Sequence, residues 1–463
     1  MTITKPRIII TALRGGSGKT ILTLGLLAAW REKGLNIAPF KKGPDFIDAG
    51  WLTFASHRQC YNLDPFLMSQ EQIMDSFDSH STHADLCLVE GNRGLYDGLD
   101  VEGSCSTAEL AKRLRAPVLM IVDVTMTTRT VAAIVKGCQV FDPTLNIAGI
   151  ILNRVAGPRQ KKLIKDAIEK FCNLPVVGAI PKLKGNPFPE RHMGLVPFQE
   201  RTQAEKAITW TRHVVTDNLQ LDKIWDIARR AESISVSPAI KRTETTAVNK
   251  DAPRIGFIRD KAFWFYYPEN LNHLEQMGAH LVEINALTDR ELPHLDALYI
   301  GGGFPETQAK ALSDNHTFRN ALRDGIEKGL PVYAECGGLM YLGESLVVEG
   351  KTYSMVGGLP LVFTLKKKPQ GHGYTVLEVD QSNPYYPVGE ILKGHEFHYS
   401  ESKLTREEGI TFAFRANRGN GILGLKDGIC RKNTLATYTH IHAAGNPSWA
   451  SNLFRVALKH KRK

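Results

Sequence analysis

No stretch of this 463-residue chain stays apolar for long enough to cross a membrane as a helix. Cysteine is sparse: seven residues at positions 60, 87, 105, 138, 172, 336 and 430, odd in number and without paired spacing. A disulfide framework and a thiolate metal knuckle both need pairs, so these residues read as reduced thiols of a cytoplasmic protein. The first residues read as a first strand, not as a secretion signal. The short apolar run in "MTITKPRIIITALRGG" leads straight into glycines, as a first strand does. Negative charge is the minority sign, with a net charge of +10 and basic clusters in "FKKGPD", "LKKKPQ" and "KHKRK". No nucleic-acid-binding motif accompanies the excess, which suits an anionic small substrate, so neither nucleic acid nor membrane is an expected partner. There is no internal repeat.

What is present is a globular composition, 43% hydrophobic and 23% charged, over a length that suits two or three domains. The first half alternates β-branched runs ("RIIITAL", "NIAPFK", "ADLCLVEG", "APVLMIVDV", "IAGIILNRV", "LPVVGAIP") with amphipathic segments such as "KTILTLGLLAAWREKG". That alternation is the mark of βαβ units and a parallel sheet. The segment "SISVSPAIKRTETTAVNKDAP" is polar and aperiodic and reads as a linker. Beyond it "RIGFIRD", "HLVEINAL", "LDALYIGGG" and "LPVYAEC" resume the alternation, and the last third is richer in strands and turns. The expected organisation is α/β throughout: a phosphate-loop domain over 1–235, a linker over 236–252 and a second α/β domain over 253–463.

Residues 14–20 read "RGGSGKT" between a strand and a helix. The usual phosphate loop has a glycine where this chain has Leu13; the remainder fits. Gly16, Ser17 and Gly18 expose backbone N–H groups, Lys19 suits the β- and γ-phosphates of ATP, and Thr20 suits Mg²⁺. The carboxylates Asp45, Asp48, Glu90 and Asp97 lie at or just past other strand ends, where parallel sheets form their ligand crevice. With Thr20, they are candidates for metal and substrate contact. "FKKGPDFIDAGW" also brings Lys41, Lys42 and Phe46, and "ILNRV" puts Asn153 at another strand end, where its amide could read adenine.

"LPVYAECGGLMYL" sets Cys336 on a sharp strand-to-helix turn, with two glycines behind it. On such an elbow the thiol is expected to be exposed, with its pKa lowered by the helix start. "ATYTHIHAAGNP" offers His440 and His442 as its base. Their i, i+2 spacing on a strand points both to one face, so periodicity leaves the choice open. "YIGGGFPE" supplies Gly301–Gly303, a source of oxyanion-hole N–H groups.

These motifs, taken in order from "GGSGKT" through "PFKKGPDFIDAGW", "VEGNRGLYDG", "AGIILNRV", "RHMGLVP", "GGGFPE" and "YAECGGLMYL" to "GHEFHYS" and "YTHIH", resemble the cobyrinic acid a,c-diamide synthase family over about residues 6–455. The resemblance implies a dethiobiotin-synthetase-like ATP domain and a class I glutamine amidotransferase domain. It implies ATP- and Mg²⁺-dependent amidation of the a and c acetates of a corrinoid, with glutamine or ammonia as nitrogen donor. By the same likeness Cys336 is the glutaminase nucleophile and His440 its partner, with no third acidic member; the residues themselves make Gly302 and Gly337 the oxyanion-hole candidates. Gly16–Thr20 and Asn153 would hold nucleotide; Thr20, Asp45 and Glu90 the metal; Lys42, Asp45, Phe46, Asp48 and Asp97 the substrate. A homodimer is a further expectation. Phe46 replaces the family's tyrosine, and Asn92 and Arg93 stand where "VM" is usual. Sirohydrochlorin or sirohaem is therefore the alternative substrate. A partition-type ATPase switch is the distant alternative, and it leaves the second half of the chain without a role.

Overall fold

The computed structural model describes residues 2–183, 185, 188, 190–191, 194–195, 204–235 and 251–462. Most of the linker segment and of "RHMGLVP" lies outside them. The chain forms two compact units, residues 1–240 and 241–463. No described helix is long and apolar enough to cross a membrane.

The first unit is built on a parallel sheet. From one edge its strands run Tyr61–Leu63, Ile37–Lys42, Leu86–Glu90, Arg7–Ala12, Val118–Asp123, Ile147–Val155 and Val176–Pro181. The central strands are buried along their whole length because helices cover both faces, which is why their sequences are continuous apolar runs instead of alternating ones. The three-residue edge strand Tyr61–Leu63 lacks such a run and left no signal in the sequence. Helix Lys19–Glu32 starts directly after the glycines. Gly18 has φ 93° and no side chain caps the helix, so its first N–H groups remain available to a ligand.

The second unit holds a ten-stranded sheet. Its first five strands, His280–Ile284, Arg254–Ile258, Ala297–Ile300, Val332–Glu335 and Thr434–Thr437, are parallel neighbours. Antiparallel strands continue it through Lys426–Arg431, Thr411–Arg418, Gly371–Val379 and Ile391–His398 to the short His440–Ile441. Alternate residues of Val332–Glu335 feed opposite cores: Val332 and Ala334 pack with Leu339 and Phe363, whereas Tyr333 packs with Tyr299 and Trp449. That double-sided packing fixes the end of this strand, where Cys336 sits.

Candidate active sites

In the first unit, four parallel strand ends converge on the loop of residues 13–18. Lys19 folds back into the loop and donates to the carbonyls of Arg14 (3.1 Å) and Arg93 (2.7 Å). Both acceptors are neutral carbonyls, so a phosphate would be a better partner for this ammonium. Gly16 and Gly18 take φ of 69° and 93°, and a methyl on Gly18 would come within 2.7 Å of Asn153 Nδ2. Asn153 braces the loop: Nδ2 donates to the Ser17 carbonyl at 2.8 Å and Oδ1 accepts the Arg154 N–H at 2.9 Å. The adenine-reading amide expected from sequence is thus engaged with the phosphate loop itself.

The centre of the cluster is Lys41, a residue the motif contained but to which no task was attached. It is fully buried, with Nζ 2.6 Å from Asp48 Oδ2, 2.6 Å from Glu90 Oε1 and 3.8 Å from Asp45 Oδ2. Burial opposes its charge, but the three carboxylates outweigh burial and raise its pKa. Thr20 Oγ1 joins at 3.0 Å from Glu90 Oε1 and 3.4 Å from Asp48 Oδ2. Asp48 is therefore the carboxylate that shares Thr20 with Glu90. Asp45 accepts the Asp48 N–H at 2.9 Å, in the first turn of helix Ile47–Ser56, and burial and the neighbouring Asp48 raise its pKa to about 7. Asp97 accepts the Gly94 N–H at 2.8 Å, closing its own loop. Lys42 is buried next to Lys41, and burial lowers its pKa. Phe46 immediately precedes helix Ile47–Ser56 and is half-buried.

These residues suit Mg²⁺. Thr20, Asp48 and Glu90 offer oxygen only, and Glu90 Oε2 is buried without a hydrogen-bond partner among the described residues. No group of three or more His, Cys, Asp or Glu able to hold a metal occurs among the described residues.

In the second unit Cys336 links strand Val332–Glu335 to helix Gly337–Leu342, with φ 48° and ψ −101°. The elbow needs glycines behind it: a methyl on Gly338 would meet the Ile300 carbonyl at 2.5 Å, and one on Gly337 would meet the Gly303 N at 2.9 Å. The expectation of an exposed, acidified thiol is corrected here. Cys336 is only 4% exposed, and burial pushes its pKa well above the ordinary value. The six-residue helix after it does not compensate for the lost solvent.

The structure separates the two histidines. His440 Nδ1 lies 3.5 Å from Glu335 Oε2, and a methyl on Gly302 would stand 3.2 Å from His440 Nε2. One nitrogen thus faces a carboxylate and the other the glycine loop that borders the elbow. The Cys336 N–H donates to the Thr437 carbonyl at 2.7 Å, which ties the elbow to the strand leading to His440. His442 instead accepts the Ala444 N–H on Nδ1 at 3.2 Å and turns Nε2 to Glu269 Oε1 at 3.6 Å. The expected common face fails because strand pairing stops at Ile441.

Glu335 is the residue the sequence reading missed. It directly precedes the cysteine, is 1% exposed, and accepts from Tyr299 Oη at 3.1 Å and the Ile441 N–H at 3.2 Å. Burial raises its pKa, while His440, the Ile441 N–H and Tyr299 oppose that. The available signal was the acid in "YAEC", directly before Cys336, whereas no acid stands beside "THIH".

A model of the CobB/CobQ-like glutamine amidotransferase domain matches residues 254–448, and a model of the CobQ/CobB/MinD/ParA nucleotide binding domain matches residues 8–196. A glutamine amidotransferase joined in one chain to a nucleotide-binding domain is the class that fold and sites define. The chain is 44% identical over 453 residues to a cobyrinate a,c-diamide synthase of Magnetococcus marinus, covering 97% of each. It is 40% identical over 457 residues to that of Archaeoglobus fulgidus, covering 98% of each, and 38% identical over 450 residues to that of Listeria innocua, covering 97% of this chain and 98% of that one. The chain belongs to the cobyrinate a,c-diamide synthase family and is a glutamine-dependent ligase.

Proposed function

We propose that the protein converts the a and c acetates of cobyrinic acid to amides, using ATP to activate the carboxylate and glutamine, or ammonia, to supply nitrogen. The observation that carries this reading is the presence in one family member of a phosphate loop ringed by Lys19, Lys41, Asp48 and Glu90, and of a cysteine elbow with a Glu335-backed His440.

A carboxylate does not condense with ammonia unless its oxygen becomes a leaving group. Attack of the acetate oxygen on the γ-phosphorus of ATP gives an acyl phosphate and ADP. Lys19 and the loop N–H groups hold the phosphates, and Lys41 offsets the charge gathered on the acetate. Thr20, Glu90 and Asp48 would hold Mg²⁺, which supplies further charge neutralisation on the phosphates. In the second unit His440 takes the thiol proton of Cys336, and sulfur attacks the glutamine amide. The backbone N–H groups near Gly302 and Gly337 stabilise the oxyanion, and His440 returns the proton to the departing ammonia; water, deprotonated by His440, then hydrolyses the glutamyl thioester, releasing glutamate and restoring the Cys336 thiol. Glu335 holds Nδ1–H of His440, leaving Nε2 as the base. Ammonia then displaces phosphate from the acyl phosphate. A second round on the other acetate gives the diamide.

The test is product mass after incubation with ATP, glutamine and, in parallel, cobyrinic acid, sirohydrochlorin or sirohaem. Two successive OH-to-NH₂ replacements on cobyrinic acid support the reading. The same replacements on a sirohydrochlorin-type substrate alone would keep the chemistry and overturn the substrate, with Phe46, Asn92 and Arg93 as the positions to exchange.

A further inference from the structure

Lys42 and Arg93 are two cations at the ligand end of the first unit's sheet that the phosphoryl-transfer cluster does not use. Lys42 is only 6% exposed, yet its ammonium makes no hydrogen bond or ion pair among the described residues. Asp64, Cys105, Arg93 and Lys41 are the titratable groups around it. Asp64 forms no salt bridge to it, and Asp64 Oδ1 accepts the N–H groups of Phe66 (2.8 Å) and Leu67 (3.1 Å). An exposed lysine without a partner is ordinary; a buried one implies an anion that arrives from outside.

Arg93 comes from the neighbouring strand. Strands Ile37–Lys42 and Leu86–Glu90 pair with Lys41 opposite Glu90, so the two following loops run side by side. They touch: a methyl on Gly43 would be 3.1 Å from Asn92 Nδ2. Arg93 has φ 52°, its N–H donates to Asn92 Oδ1 at 2.9 Å, and its carbonyl accepts Lys19 Nζ. Its guanidinium is exposed and has no carboxylate partner among the described residues.

Strand alternation directs the Lys42 side chain away from the reacting centre. Lys41 points to Asp48, Glu90 and Thr20, so Lys42, the next residue, is directed to the other face of the sheet. The acetate being activated belongs beside Lys41 and Lys19. We infer that Lys42 and Arg93, with Asn92, form a second carboxylate subsite, which grips a peripheral carboxylate of the tetrapyrrole other than the one being amidated. The inference rests on the proposed function and deepens it: a polycarboxylate held at a second point presents one acetate at a time, and rebinding through a different carboxylate brings up the next.

The experiment is an absorbance titration of the full-length protein with cobyrinic acid and with sirohydrochlorin, without ATP, for wild type, Lys42→Met, Arg93→Met and the double variant. ATP affinity is measured on the same preparations. Each single change is expected to weaken tetrapyrrole binding roughly tenfold or more, as for loss of a charge-assisted hydrogen bond, and to leave ATP binding within about twofold. Arg93→Lys keeps the charge and is expected to restore part of the loss. Equal loss of ATP affinity overturns the inference, because the cations would then serve a phosphate. Unchanged tetrapyrrole affinity in the variants also overturns it, leaving the proposed function intact. Failure of the wild type to bind any polycarboxylate tetrapyrrole overturns both.

Discussion

The two units use the same device for opposite ends. In each, a strand of a parallel sheet runs into a tight turn and a helix. In the first, the turn residue Gly18 sits at φ 93°, where glycine is at ease, and what the turn presents is backbone N–H. In the second, Cys336 is held at φ 48°, where a side chain costs roughly 1–2 kcal/mol, and what the turn presents is sulfur. The surroundings differ accordingly. Around the phosphate loop, charge is concentrated: one buried lysine is shared among three carboxylates. Around the elbow the thiol is buried and its acidity suppressed. On the proposed function, the first site receives charge and the second keeps its thiol neutral until a base removes the proton.

Lys41→Met is the severest way to break this contrast. It leaves Asp48 and Glu90 buried without their counter-charge, and losing one partner of such a pair costs about 3–5 kcal/mol. Calorimetry is expected to show a large drop in the first unit's unfolding temperature, with ATP-dependent amidation abolished from both glutamine and ammonia. Glu335→Gln is gentler. It is expected to lower glutamine hydrolysis on the order of 10²-fold, part of what a well-placed general base supplies, while amidation from ammonia stays at the wild-type rate. Equal loss with both nitrogen donors would mean that Glu335 is a structural support alone. The smallest effect concerns the free thiol. A raised pKa means that the thiolate fraction grows only as pH climbs past the ordinary cysteine range. Inactivation by iodoacetamide is therefore expected to be slow near neutrality and still rising at alkaline pH. A plateau near neutral pH would restore the acidified-elbow picture.

Much of this was legible in the sequence, for identifiable reasons. Buried parallel strands are mostly apolar, so "RIIITAL", "APVLMIVDV" and "LPVYAEC" stood out, and glycine-flanked candidate residues such as Lys19 and Cys336 did as well. The glutamine and nucleotide chemistry followed from those motifs. Lys41 was visible only as part of the string "FKKGPDFIDAGW", because its role depends on its meeting Asp45 and Asp48 of that string together with Glu90, 49 positions away. Glu335 was hidden by its position: nothing along the chain says that the residue before Cys336 reaches a histidine about a hundred positions later. The thiol's acidity was misjudged because burial is a property of packing, and a helix start is readable from sequence whereas the desolvation that outweighs it is not.

The central claim is that nitrogen release and carboxylate activation are separate chemistries on separate units. Its most direct test is amidation by Cys336→Ser with glutamine and, separately, with ammonium, read as product mass on the wild-type substrate. The account predicts no product from glutamine and near-wild-type diamide from ammonium. Loss of both activities in a folded Cys336→Ser protein would contradict it.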